Sequence, residues 1–424
     1  MKKIAFPAAL FLTTASMLGS GILTTTGSIL NMVRSPNAVL LVWLIAGIHA
    51  LLGALCYGAI VRRLPDSGGE ATILRTFFNA PLGELAGWVS FIVGFAASNA
   101  VSAIGFASYL AKAVPQTAPH AGLAAASAIL VVSALHSLAG PAGMRIQTAM
   151  AAAKFLLLGS LAIFGLFHAA PTSQSINPTF AAPLAFGPTW GTAIMFAMFA
   201  YLGWSAAIYS AGETEKASTS VPKAMAIGTS IVMALYLTIN HVLLKHIPLE
   251  SLAESRAVVE LLVRQLFGDH TATVFASVVA FALLSSLGAS AFLGPRVLNT
   301  MLRWYRKAPH PQGPVSVPPW VVWLQGGLTI GLILTGTFGQ ILTFTGFLLG
   351  VFPMLSVIGL YTQTASQTEP VHPAIRYLAA PIFLLGSALI LILSIMDSPS
   401  LTLGALALVV IALTVRLRFK GQLQ

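Results

Sequence analysis

Lys154 is the residue whose chemistry is hardest to place. It lies about ten residues into an apolar run, 144–168, with apolar neighbours on both sides, which is about 15 Å along a helix. A lone ammonium at that depth in a bilayer costs about 2.5 to 3.5 kcal/mol on insertion scales. It must either meet polar groups inside the protein or reach back to the interface along its own stem. Two interruptions elsewhere could supply polar groups. Gly19-Ser20-Gly21 breaks the first apolar run, and Gly203 breaks the sixth between Tyr201-Leu202 and Trp204. Glycines around a serine propagate a helix poorly, and irregular backbone at membrane depth survives only where it is buried or lines a cavity. Amides freed at the start of a second half-helix suit a carboxylate; the alternative use of such residues is close helix packing.

Composition sets the solvent around these groups. Of 424 residues, 57% are hydrophobic and only 8% are charged, against roughly a quarter charged in soluble domains. A cytosolic enzyme is therefore excluded and a polytopic membrane protein is expected. Cys56 is the single cysteine and lies in an apolar stretch, so neither a disulfide framework nor a thiolate metal cluster is available. Eleven acidic residues, with no Asp-x-x-Asp or His-x-x-His pattern, argue against a membrane enzyme built on a metal or diphosphate site. Gly19-x-Gly21 lacks the third glycine of a dinucleotide fingerprint.

The elements that must position these residues follow from the hydrophobic runs. Spans are expected near 6–33, 37–61, 82–111, 121–138, 144–168, 188–210, 222–245, 271–303, 318–336, 339–361, 376–396 and 399–416, about twelve helices in an all-α protein. The basic residues fall mostly on one side of this map, among them Lys2, Lys3, Arg62, Arg63, Arg75, Lys216, Lys223, Arg303 and Arg376. The positive-inside rule then puts both termini in the cytoplasm of a multi-pass plasma-membrane protein, the inner membrane in a bacterium. The net charge of +11 is thus topology and not a sign of nucleic acid. Residues 1–33 run well past a signal-peptide core, so the first run is expected to be a span. Residues 246–270 have helical apolar spacing, which predicts a short amphipathic helix over the outer mouth.

The breaks in runs one and six are separated by five spans. Interrupted helices at corresponding places in two halves point to inverted repeats with a binding site between them. One repeat would cover about 6–168, the second about 188–361, with additional helices at about 376–416, all within a single transporter domain.

Three passages carry a resemblance. Gly19-Ser20-Gly21-Ile22-Leu23 is similar to a Gly-Ser-Gly-Ile-Phe signature. Arg63-Leu64-Pro65 through Ser67-Gly68-Gly69-Glu70 to Gly87-Trp88 is similar to a loop after a second helix. Phe199 to Trp204 with Glu213 and Pro222-Lys223-Ala224 is similar to a sixth helix and the start of a seventh. In this order they resemble the amino acid, polyamine and organocation superfamily, and within it the bacterial permeases related to light subunits of heteromeric amino acid transporters. The chain departs from it at Lys216-Ala217-Ser218, where the family has Lys-Asn-Pro. It also lacks the acidic residue that arginine exchangers carry after the sixth-helix glycine, since Trp204 and Ser205 follow Gly203.

The resemblance implies a 5+5 inverted-repeat fold with broken first and sixth helices plus two extra helices. It implies a substrate carboxylate on the amides of Ser20 and Gly21, beside Gly19, and an ammonium on the carbonyls of Met17, Phe199 and Leu202, with Gly203 next to them. Phe199 and Trp204 become gate candidates, with aromatic packing as the alternative. Asn99 becomes a substrate-facing candidate, with an interhelical hydrogen bond as the alternative. Lys154 would take the place of a sodium ion, bridging carbonyls near Gly19 to Ser285 or Ser286, as a fixed cation or as a carrier of coupling protons. His49, mid-span, reads more readily as a packing histidine than as a relay.

The expected function is sodium-independent transport of a neutral L-amino acid by alternating access, because no acidic side chain is evident to hold a second positive charge. A cationic amino acid or polyamine exchanger is the runner-up, and a non-transporting sensor a further alternative. The expected partners are the amino acid, the lipid bilayer and protons, with no nucleic acid, metal or cofactor, in a monomer or homodimer.

Overall fold

A computed structural model describes residues 4–65, 69–138, 142–169, 180, 186–305, 317–362 and 370–418. Among these residues the chain is helical throughout, and its one β-bridge joins Ile4 to Thr214. Among the described residues eight helices are long and apolar enough to cross a membrane, and Ala152–Phe167 and Pro319–Thr335 are shorter apolar helices.

The first span is built in pieces: α1 (Phe6–Met17), α2 (Gly21–Thr24) and α3 (Thr26–Val33). Thr25 keeps right-handed helical angles, so α2 passes into α3, which ends at Arg34 in the left-handed region. Pro36 at the first turn and the Ser35 hydroxyl on the Ala38 amide then start α4 (Pro36–Arg63), since a proline there loses no intrahelical bond. After α5 (Glu70–Phe77), the third span comprises α6 (Ala80–Val89), a π-helical stretch Ser90–Ala97 and α7 (Ser98–Ala113). The wide turn was not legible in the sequence, and such bulges favour functional sites. Next come α8 (Ala121–Leu138) and α9 (Ala142–Phe167).

The sixth segment is α10 (Pro188–Ala200), a turn, and a 3₁₀ stretch Ala206–Glu213. Beyond it lie α11 (Ala217–His246), α12 (Leu249–Glu254), α13 (Val258–Tyr305), α14 (Pro319–Thr335), α15 (Phe338–Ile358), α16 (Ala380–Asp397) and α17 (Pro399–Arg418). Segment 246–270 is not one amphipathic helix: α12 and the start of α13 share it, and Gly268, at φ 82°, separates that start from the long apolar part of α13. A capping box of Thr337 and Gln340 opens α15, satisfying two otherwise free amides.

Most helices pack around one large apolar core, with α11 along α4 and α1, α13 along α7, and α10 against α16, α15 and α4, while smaller clusters fill the space between α7, α8 and α13 and around Phe91, Leu298 and Val321. Two glycines explain how the broken segments touch. A Cβ on Gly21 would lie 2.4 Å from the Ala200 Cα, and one on Gly203 would lie 2.7 Å from the Ser16 carbonyl. Gly203 also holds φ at +105°, a conformation that costs other residues about 1–2 kcal/mol. The first and sixth segments therefore meet backbone to backbone at their interruptions.

Replacing Gly203 by alanine is accordingly expected to destabilise the protein by at least about 1–2 kcal/mol, read as a lowered melting temperature in detergent. An unchanged melting temperature would contradict this account of the sixth break.

Candidate functional site

At the first break the chain leaves α1 with the Gly19 amide folded back onto the Met17 carbonyl at 2.7 Å. Amides at the start of α2 have no intrahelical acceptor, and Ser20 and Gly21 stand there, both buried. The Ser20 hydroxyl meets the Ser102 hydroxyl of α7 at 2.9 Å. At the sixth break the Tyr201 amide turns back on the carbonyls of Ala197, Met198 and Phe199, and the Leu202 amide donates to Phe199 at 3.1 Å. Met17, Gly19, Ser20 and Gly21 thus stand in one zone with Phe199, Leu202 and Gly203, joined through the Gly21–Ala200 and Gly203–Ser16 contacts.

Tyr236 of α11 fastens the two breaks together. Its hydroxyl lies 2.6 Å from the Met17 carbonyl oxygen and 3.1 Å from that of Ala200, so one donor serves the carbonyl ends of both interrupted helices. Its ring packs edge-on to Trp43 and against Tyr201, with centroids 5.4 and 5.1 Å away. Sequence reasoning missed it. The only signal was a tyrosine in an apolar run with Asn240 one turn on, and Asn240 accepts a hydrogen bond from Thr26 of α3 at 2.6 Å.

Lys154 is buried at 7% exposure. Its Nζ donates to the Leu18 carbonyl at 3.0 Å and to the Ser286 hydroxyl of α13 at 2.7 Å. The side chain does not reach back to the interface; it ties the first break to α13. Ser285 stays out of this contact, its hydroxyl bonding instead to the Ala282 carbonyl of its own helix at 2.7 Å.

Asn99 is buried in α7, directly after the π-helical stretch and one turn before Ser102, and its Oδ1 has no hydrogen-bond partner among the described residues. A buried carbonyl oxygen left unpaired costs about 1–3 kcal/mol. The interhelical bond considered from sequence is therefore not made by that atom.

Phe199, Leu202 and Trp204 line a cavity of about 30 Å³ with His49, Met198, Gly350 and Phe383. That is room for a water molecule and not for an amino acid. Trp204 stands edge-on to Tyr57, with centroids 4.7 Å apart, while His49 stacks on Phe383 at 4.4 Å and meets the Ser387 hydroxyl at 3.2 Å. His49 is thus a hydrogen-bonded packing residue. Among the described residues no group of histidine, cysteine or carboxylate side chains could hold a metal.

These features define a multi-pass membrane protein with polar backbone exposed at two abutting helix breaks. The chain belongs to the amino acid permease family, whose profile matches residues 4–417. It is similar to the b(0,+)-type amino acid transporter 1 of Mus musculus, at 24% identity over 93% of this chain and 82% of that protein. It is similar to the serine/threonine exchanger SteT of Bacillus subtilis (strain 168), at 23% identity over 92% of this chain and 91% of that one. Likeness to the large neutral amino acids transporter small subunit 2 of Mus musculus, at 26%, spans 70% of this chain and 57% of that protein. The family and these relatives are amino acid transporters and not enzymes, so amino acid transport is the activity of this class.

Removing the Tyr236 hydroxyl leaves the Met17 and Ala200 carbonyls without this donor. Tyr236→Phe is expected to cost about 1–3 kcal/mol, and Ser286→Ala about 1.5–3 kcal/mol through loss of the charge-assisted bond to Lys154. Melting curves measure both, and Ser285→Ala should cost less than Ser286→Ala; the reverse order would refute the assignment of Ser286.

Proposed function

We propose that this permease carries a neutral L-amino acid across the plasma membrane by alternating access, without sodium. The observation that carries the proposal is the junction of the two breaks. Amides at the start of α2 suit a carboxylate and carbonyls at the end of α10 suit an ammonium, so a zwitterion fits across them. Ser20 and Gly21 take the carboxylate; Phe199 and Leu202 offer carbonyls, and Met17 joins them when the Gly19 amide or the Tyr236 hydroxyl gives up its carbonyl; Gly19 and Gly203 permit the approach. The unpaired Oδ1 of Asn99 faces the substrate as a further acceptor, and Phe199 with Trp204 gates the site. The absence of a carboxylate from these residues favours a neutral substrate over a cationic amino acid or polyamine, and likeness to a serine/threonine exchanger and to a large neutral amino acids transporter subunit agrees with that choice.

Sodium independence is supported by the ammonium of Lys154 lying between the Leu18 carbonyl and the Ser286 hydroxyl, a position in which a fixed cation replaces a mobile one. The proposed architecture is a twelve-helix 5+5 inverted repeat, with repeat one at about 6–168, repeat two at about 188–361 and additional helices at about 376–416. Both termini are cytoplasmic, which makes the end of the bundle carrying Ile4 and α5 the inner face. The bundle of first, second, sixth and seventh spans rocks against the rest. Such a unit works as a monomer or within a homodimer, with protons as the candidate coupling ion.

Counterflow of labelled amino acids in proteoliposomes should show exchange at fixed pH that is unchanged when sodium is replaced by choline. A requirement for sodium would sink the ion assignment. Binding without counterflow would identify a sensor instead. In a thermal-shift screen of the twenty amino acids a neutral one should give the largest stabilisation, and Ser20→Pro or Gly21→Trp should abolish it; retained binding in both would refute the placement at the first break.

A further inference from the structure

Glu70 is a buried carboxylate that the transport site does not use. It is the first residue of α5, is 8% exposed, and its Oε1 accepts a hydrogen bond from the Tyr57 hydroxyl of α4 at 3.1 Å. Tyr57 is itself fully buried and packs edge-on against Trp204 at the sixth break. Just before it, Gly69 holds φ at +87°, and a Cβ there would lie 2.1 Å from the Tyr209 ring, so the start of α5 lies flush on the 3₁₀ half of the sixth segment. Tyr209 is also close enough to feel the charge of Glu70.

The other end of α5 is fastened elsewhere. Arg75 faces Glu84 of α6 at 3.8 Å and stands over the Trp304 ring of α13 at 4.9 Å. Phe77 packs on Gly359 at the end of α15. One helix of eight residues thus straps the second and sixth spans, through Glu70, to the third and eighth, through Arg75. On the alternating-access reading these are the two bodies that move against each other.

Among the described residues nothing beside Glu70 supplies a counter-charge. From α4 it meets Tyr57 and from the sixth segment Tyr209; the Ser356 hydroxyl of α15 lies beside Tyr57, and Ser90 of the third span beside Tyr209. Arg75 and Glu84 are engaged at the far end of the strap, and Arg63 reaches the Leu360 carbonyl at 3.4 Å. Among the described residues Glu70 has no ion pair. Burial pushes its carboxyl up from 4.5 to about 7, with the Tyr57 hydrogen bond acting in the opposite direction. In this arrangement the group is therefore neutral below about pH 7 and ionised above it. An unfolded glutamate already ionises near 4.5, so the folded arrangement loses stability as pH rises from about 4.5 to about 7 and keeps a constant penalty beyond.

We propose that Glu70 is a proton-operated latch: in its neutral form it seats α5 against the second and sixth spans, and on ionising it releases the strap, so that pH on the inner face sets how readily the protein opens there. The proposal rests on the alternating-access reading, and its test has one arm that does not.

The first arm is melting in detergent as a function of pH. The wild type should lose stability from pH 5 towards about pH 7 and then level off, relative to Glu70→Gln, whose amide does not ionise. A Glu70→Gln protein whose melting follows the wild-type pH dependence overturns the latch. The second arm is counterflow in proteoliposomes at equal pH on both sides. The wild-type rate should rise several-fold between about pH 6 and pH 8, and Glu70→Gln should be flat across that range. Should Glu70→Gln not fold, Tyr57→Phe serves in its place: losing the donor to the carboxylate should move the wild-type pH response to higher pH, and an unmoved profile overturns the proposal. Wild-type protein without counterflow at any pH would sink the transport reading and with it the proposed motion, while the melting arm would still decide whether Glu70 titrates as described.

Discussion

Backbone polar groups freed inside a bilayer have no water to turn to, and the structure is organised around supplying them with partners. Each unmet amide or carbonyl costs several kcal/mol in that medium, so a helix can be opened at membrane depth only if other helices bring donors and acceptors to the opening. Here the carbonyls exposed by the first break are taken in turn. Met17 receives the Gly19 amide and the Tyr236 hydroxyl, and Leu18 receives the Lys154 ammonium. The same Tyr236 hydroxyl lies within reach of Ala200 at the sixth break. Three helices far apart in sequence, α9, α11 and α13, thus converge on the places where α1 and α10 stop. The ammonium that looked costly by depth alone is held by a carbonyl and a hydroxyl, and it supplies a donor to the opened backbone.

Much of this arrangement was legible from residues. Gly19-Ser20-Gly21 and Gly203 mark the breaks because glycine is a poor helix former, and the structure adds a second reason for two of them: the opposing backbone leaves no room for a Cβ at Gly21 or Gly203. Lys154 stood out because charge is so scarce in the runs. What stayed hidden depended on rotation and on long-range partners. Ser285 and Ser286 are adjacent and chemically alike, but successive residues on a helix point about 100° apart, and sequence cannot say which faces Lys154. Tyr236 and Ser102 sit in apolar runs with nothing local to distinguish them from ordinary packing. The π-helical turn before Asn99 has no proline in Ser90–Ala97 to announce it.

Glu70 was present in the sequence without its burial being legible there. In sequence it closes a polar loop motif beside Asp66 and Arg63, where a glutamate would ordinarily be solvated. Folding places it under α5 against two tyrosines, because the strap must turn sharply at Gly69 to lie on Tyr209 and its first side chain is then directed inward. Burial that is created by tertiary packing of a short helix leaves no periodic trace in so few residues. The polar loop and the buried carboxylate are the same feature viewed before and after that packing.

Contacts at the two ends of the bundle use different chemistry, and on the alternating-access reading this bears on control. On the face opposite α5, the second half of the first span is held by neutral hydrogen bonds: Thr26 to Asn240, Asn31 to the Ala253 carbonyl, and Tyr109 to the Leu23 carbonyl. Glu260, buried at the start of α13, pairs with Arg264, which also meets Asp269. Hydroxyl, amide and carbonyl groups keep the same protonation state throughout the physiological range, so these bonds make and break without regard to pH. On the α5 face the contact to the second span includes a carboxylate whose ionisation falls within that range. A proton on Glu70 therefore bears on the α5 contact and leaves these three bonds as they are. The asymmetry follows from which side chains the two ends of the bundle present, and it requires no change at the junction of the breaks where the substrate would lie.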